Sequence, residues 1–172
     1  NKAVEYVLTL DQDSGIGPDY VLRCHETLNA ARRTHHGIGF VAAERFGSTP
    51  FPSRGTADGL RVAIDPLQSG CLIPRSTIDA LGYLDETLFI DGVDSEYTAR
   101  NMAARRLVLI GTGCWMSHNL GDRRQVRAWG RTTPLSYNYH PPARVYYMAR
   151  NGAVLLGRYG RQLPSWVLRR SV

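Results

Sequence analysis

Acidic side chains gather at two places in the chain where they could do chemistry. Asp11-Gln12-Asp13-Ser14 follows directly on the apolar run Val4-Glu5-Tyr6-Val7-Leu8-Thr9-Leu10. Two carboxylates therefore leave the end of a predicted buried strand in one loop, where oxygen ligands can chelate a hard divalent cation. A cation so held bridges the phosphates of a nucleotide diphosphate and offsets the charge that builds as that group departs. The same aspartates can equally cap a helix or close Asx-turns. Asp91, Asp94 and Glu96 place three acids in six residues around a predicted strand-to-helix boundary. Capping and favourable charge at a helix N-terminus account for one of them; an ionised carboxylate there could also take a proton from a hydroxyl. His118, just past a predicted short strand, is either a structural imidazole or a neutral nitrogen ligand completing a coordination sphere begun by carboxylates. His25, His35 and His36 lie on or beside an amphipathic helix and read as surface residues.

The elements that must position these groups alternate. The strand near Val4–Leu10 precedes a helix from Pro18 to Arg33, Pro18 suiting a first helical turn. Ile38–Ala43 reads as a second strand, and 45–59, with Pro50, Pro52 and several Gly, Ser and Thr, as a long loop. Gln68–Ile73 is a further strand, and a short helix from Pro74 is closed by Gly82. A helix runs beyond Glu96 to Arg106, Leu107–Ile110 resumes a strand, and Cys114–Ser117 forms another. Val145, Met148, Gly152, Leu155 or Leu156, and Tyr159 recur at helical spacing over 143–160. Such alternation predicts an α/β fold with a mixed sheet flanked by helices, ligands binding at strand ends.

The 172 residues suffice for one domain with a sizeable core. Cys24, Cys71 and Cys114 are odd in number and widely spaced, which speaks against a disulfide framework or zinc knuckle and for buried thiols of a reducing cytoplasm. No apolar run approaches the ~20 residues of a spanning helix. The net charge of +6 is uneven: residues 123–172 hold ten Arg and no acid, leaving −4 on residues 1–122. We therefore divide the chain into an acidic part, 1–122, and an Arg-rich, helical C-terminal extension, 123–172. The basic tail is either a solvated face or a surface for polyanions or anionic lipid, with Trp129, Tyr137, Tyr139, Tyr146 and Tyr147 interleaved as a stacking platform would require.

In this order, Leu10-Asp11-Gln12-Asp13-Ser14, Gln68-Ser69-Gly70-Cys71-Leu72-Ile73-Pro74, the run from Gly82 to Tyr97 with Asp91 and Asp94 inside it, Ser117-His118-Asn119-Leu120-Gly121, and Arg144-Val145-Tyr146-Tyr147-Met148-Ala149-Arg150-Asn151 resemble the family-two inverting glycosyltransferases of GT-A fold. The likeness is greatest to the rhamnosyltransferase-like branch that builds bacterial surface polysaccharide. The resemblance implies that Asp11, Asp13 and His118 hold Mg or Mn with the donor diphosphate, and that Asp94 deprotonates the acceptor hydroxyl. It further implies that Asp91 and Glu96 orient the acceptor or the base, and that Ser69 and Gly70 lie beside donor or acceptor. The donor would be a nucleotide-diphosphate sugar, with dTDP-rhamnose a candidate, and the acceptor a glycan or polyprenyl-linked saccharide. The setting would be the cytoplasm, with peripheral contact to the inner face of the plasma membrane, and nucleic acid is not an expected partner. Family members carry a preceding nucleotide-binding half; none of its features precede Asn1, so the fold is expected to lack the nucleoside pocket. A non-catalytic, incomplete module of this fold is the alternative.

Overall fold

The computed structural model describes residues 4–35, 37–117, 123–128, 131–138 and 140–170. Its centre is the strand β3 (Ile38–Ala42), buried at every residue. Because strand side chains alternate, Phe40 and Ala42 go to one face of the sheet and Val41 to the other, and a register irregularity between Ile38 and Phe40 brings Ile38 to the side of Val41. The first pair packs with Tyr97, Val108 and Ile110, the second with Leu28, Cys24, Leu72 and Leu109. A strand covered on both faces reads as an unbroken apolar run, as this one does.

Around it lies a six-stranded sheet, formed with β1 (Tyr6–Leu8), β6 (Ser53–Ala57), β7 (Leu60–Ala63), β8 (Leu72–Pro74) and β9 (Leu107–Ile110) in the order β1-β8-β3-β9-β7-β6. The β3–β9 pair is parallel and the rest antiparallel, so the sheet is mixed. Helix α1 (Tyr20–Arg32) covers one face through Tyr20, Cys24, Leu28 and Ala31, a helical repeat that places all four on one side. On the other face lie α2 (Arg75–Leu81) and α3 (Val93–Ala103), α3 stacking Tyr97 on Phe40 at 5.8 Å. A second sheet, of β2 (Gly15–Ile16), β10 (Trp115–Ser117), β4 (Arg45–Phe46) and β5 (Thr49–Pro50), sets Ser117 opposite Gly15. The chain continues into the hairpin β11 (Arg123–Ala128) and β12 (Arg131–Asn138), then α4 (Pro142–Tyr159) and α5 (Pro164–Arg170). Leu155, Tyr159 and Trp166 dock these two helices on Ala99 of α3.

The predicted α/β class with a mixed sheet and C-terminal helices is the one found. Two stretches differ from the sequence reading. The segment 45–59 is not a loop: it contains β4, β5 and β6, and Asp58-Gly59, at φ 47° and 80°, makes the two-residue turn between Ala57 and Leu60. Both residues at positive φ is what a tight hairpin demands, and Asp-Gly supplies it. The extension from 123 opens with strands rather than helix. The three cysteines are free and buried, Cys24 Sγ standing 3.3 Å from Cys114 Sγ. Among the described residues no helix is long and apolar enough to cross a membrane.

Candidate functional site

The first acidic loop is fastened to the turn that precedes β8. Because β1 and β8 are antiparallel, the end of one meets the start of the other: Thr9 N–H donates to the Cys71 carbonyl at 3.1 Å, and Gly70 N–H to that of Thr9 at 2.7 Å. Ser69, which is 1% exposed, then reaches across. Its Oγ accepts from Asp11 N–H at 3.0 Å and shares a 2.8 Å hydrogen bond with Ser14 Oγ, while Ser14 N–H closes the loop on the Asp11 carbonyl at 3.1 Å. The carboxylates of Asp11 and Asp13 stay exposed. Neither caps α1, whose N-cap is Asp19.

Gly70 lies beneath the turn rather than on its surface. At φ 81° it occupies a conformation that L side chains rarely adopt, and a Cβ there would come within 2.6 Å of both Met116 Sδ and Tyr20 Oη. Tyr20 Oη donates to the Gly70 carbonyl at 2.5 Å, and burial holds that phenol above its ordinary pKa. Gly70 thus shapes the site from below, and the strand expected from Gln68 starts only at Leu72.

The second acidic group splits. The N-cap of α3 is Gly92 at φ 89°, which has no side chain to cap with, and Asp94 within the first turn accepts from Ser95 N–H through Oδ1 at 2.8 Å. Asp94 lines a cleft of about 570 Å³ together with Asp65 and Asp91. It also borders a crevice that includes Gln68 and Cys71, on the turn that carries Ser69. Ser95 Oγ donates to Asp65 Oδ2 at 2.7 Å, tying the start of α3 to the segment after β7. Asp91 is gripped by the fork of Arg144, Nε to Oδ2 at 2.8 Å and Nη2 to Oδ1 at 2.9 Å, and this raises the Arg144 pKa. The opposite wall is apolar, from Leu67, Met148, Leu156, Trp166 and Val167.

Glu96 does not share that cleft. It is 2% exposed and accepts from Arg100 Nε at 3.1 Å, from Arg100 Nη2, and from Tyr159 Oη at 2.7 Å. Burial first, then the bond to Glu96, pushes the Tyr159 hydroxyl up to about 12. These bonds make Glu96 a link between α3 and α4.

The structure therefore brings Asp11, Asp13, Ser69 and Gly70 to one turn, puts Asp91 and Asp94 on the neighbouring cleft, and sets Glu96 apart. His118 lies outside the described residues, as do Trp129 and Tyr139. The arginines of α4 reach the neighbouring loop while Arg144 and Arg158 stay partly exposed: Arg144 to Asp91, Arg150 Nη2 to the Thr87 carbonyl at 2.6 Å and over the Tyr147 ring, and Arg158 to Asp85 at 2.5 Å. Asp65, Asn151 and the α5 residues carry no site role in the sequence reading. Asp65 had a signal, an acid just after a strand, and Asn151 ended the quoted run from Arg144; the α5 residues had none.

The mixed six-stranded sheet flanked by helices is consistent with an α/β glycosyltransferase-like fragment. Among curated proteins, the dTDP-rhamnosyl transferase RfbF of Shigella flexneri is 28% identical over 176 residues, which is 90% of this chain and 54% of that protein. The chain spans about half the length of the curated relative it matches. No protein-family model matches, and no solved structure does.

Proposed function

We propose that the chain is the diphosphate- and acceptor-binding part of a metal-dependent glycosyltransferase. It would move a sugar, with rhamnose the first candidate, from a nucleotide-diphosphate donor to a glycan or lipid-linked acceptor in polysaccharide synthesis, with inversion. The observation that carries this reading is the turn 68–71, which holds the Asp11–Ser14 loop through Ser69 on one side and borders Asp94 through Gln68 and Cys71 on the other. The similarity to a protein named as a rhamnosyltransferase supports it independently.

Two exposed carboxylates suit Mg or Mn, which favour oxygen and are commonly held by one or two acids plus substrate phosphates. Asp11 and Asp13 would hold such a cation, joined by His118. Bound there, the cation supplies neutralising charge to the departing diphosphate.

Asp94 serves as general base. The resemblance points to Asp94 for this role; Asp91 is held at both oxygens by Arg144, and Asp94 accepts from Ser95 N–H at one oxygen while lining the cleft. The acceptor oxygen, losing its proton to Asp94, attacks the anomeric carbon opposite the leaving diphosphate, and the configuration inverts without a sugar–enzyme bond. The apolar wall opposite Asp94 suits an acceptor with a hydrocarbon portion, and would bring the extension 123–172 to the acceptor side. In the full-length protein, Asp94→Asn is expected to lower kcat roughly 10²- to 10⁴-fold while donor binding survives. Turnover at the wild-type rate would remove Asp94 from the base role.

A further inference from the structure

The loop before α3 is bent in a way side chains seldom tolerate. Phe89 sits at φ 60°, ψ −65°, and Ile90 N–H donates to the Leu88 carbonyl at 2.7 Å, which together form the positive-φ γ-turn, the rare and strained form. Asp91 follows at φ 62° and Gly92 at φ 89°. Three of four consecutive residues thus lie in the left-handed half of backbone space, two of them with a Cβ. Such a path persists only where the surroundings over-determine it.

Here the constraint comes from one face of α4. Asn151, fully buried, presents Nδ2 to the carbonyls of Leu88 at 2.8 Å, Ile90 at 2.9 Å and Asp91 at 2.6 Å. Four residues back along the helix, Tyr147 packs on Phe89 with ring centroids 5.3 Å apart, and three further back Arg144 grips Asp91. The spacing 144, 147, 151 is one helical face. Asn151 is also an uneconomical group for stability alone. Its two amide hydrogens meet three acceptors, and among the described residues its buried Oδ1 has no hydrogen-bond partner. Strain in the loop and an unmet acceptor beneath it both oppose folding. What the arrangement delivers is a fixed path for Asp91 and for the start of α3, three residues before Asp94.

We infer that Asn151 is a positioning residue for sugar transfer: from α4 it holds the strained 88–92 loop, with Arg144 as its partner on Asp91, and so aims the Asp94 carboxylate at the acceptor hydroxyl. This rests on the reading of Asp94 as the base. A misplacement of about 1 Å at a reacting group can cost on the order of 10²-fold in rate, which sets the scale expected.

The test uses the full-length protein with a nucleotide-diphosphate sugar and its acceptor. Asn151→Leu, matched in size but without the donor, should lower kcat per folded molecule about 30-fold and leave the donor KM within about twofold. Arg144→Ala, at the exposed rim and able to fold, should lower kcat about 10-fold, with partial recovery in Arg144→Lys. Leu155→Ala, which loosens the docking of α4 without touching the loop, should reduce the folded fraction while kcat per folded molecule holds. If Asn151→Leu does not fold, the two Arg144 variants decide. Wild-type kcat per folded molecule in Asn151→Leu and Arg144→Ala, alongside an inactive Asp94→Asn, overturns the positioning role alone. An active Asp94→Asn overturns the base assignment on which it rests.

Discussion

The two acidic loops are held in opposite ways. Asp11–Ser14 is fastened by the Ser69 hydroxyl and by main-chain bonds, with its carboxylates exposed. The 88–96 segment is held from α4: buried Asn151 on the loop carbonyls, Arg144 on Asp91 at the rim, and buried Tyr159 on Glu96. A neutral hydrogen bond is worth about 1 kcal/mol, whereas removing one member of a buried charged network costs about 3 to 5 kcal/mol. The first loop can therefore adjust around a ligand more readily than the second.

That contrast breaks if the two loops respond alike to substitution. The largest effect on folding is expected from Glu96→Ala, which strands Arg100 and the Tyr159 hydroxyl in the interior and should cost about 4 kcal/mol by urea denaturation. Leu155→Ala should follow at about 3 kcal/mol, because it opens a cavity where α4 meets α3. Ser69→Ala should cost about 1 kcal/mol and weaken binding of a nucleoside diphosphate, measured calorimetrically in the presence of Mg. A loss as large as that of Glu96→Ala would show that the first loop is as rigidly held as the second.

A pH titration sharpens the same point from the edge of the second loop. Asp85 accepts from the Thr87 hydroxyl and amide and from Arg158, which hold its carboxyl down to about 2. A folded pKa below the ordinary value of about 3.9 means stability fully present above that value and lost as pH falls through the folded one. Because Arg158 is partly exposed, the contribution should be about 1 kcal/mol, and the stability gap between wild type and Asp85→Asn should close between about pH 4 and pH 2. The smallest effect belongs to Asp13→Asn. Unfolding should move by less than about 0.5 kcal/mol, as for other exposed positions, while Mg-dependent diphosphate binding falls.

What the sequence disclosed follows the same division. Asp11 and Asp13 follow closely on β1, which ends at Leu8, so their place past a strand end was legible. Asp94 was legible as an acid near a helix start, and it accepts from Ser95 N–H there; its place on the cleft with Asp65 was not, since Asp65 comes from the segment after β7. Glu96 was placed with Asp94 by proximity, although residues two apart on a helix point about 200° from each other and cannot share a face. The hairpin at Asp58-Gly59 carried its signal openly, outweighed by the prolines and glycines around it. Asn151 stood only as the end of the run from Arg144, without a role: an asparagine inside an apolar helical repeat declares its purpose only when the loop it meets is folded against it.

The three buried thiols have a use beyond packing. The bond shared with Cys114, and then burial, hold the Cys24 thiol well above its ordinary pKa, and burial does the same for Cys71. Reaction with an electrophile needs a thiolate and access, and the closed state offers these two neither. Cys24 faces α1 on one side of the sheet and Cys71 packs on the other. Their separate rates of alkylation in native buffer would therefore clock the opening of the two faces independently, two internal stopwatches that need no label added to the chain.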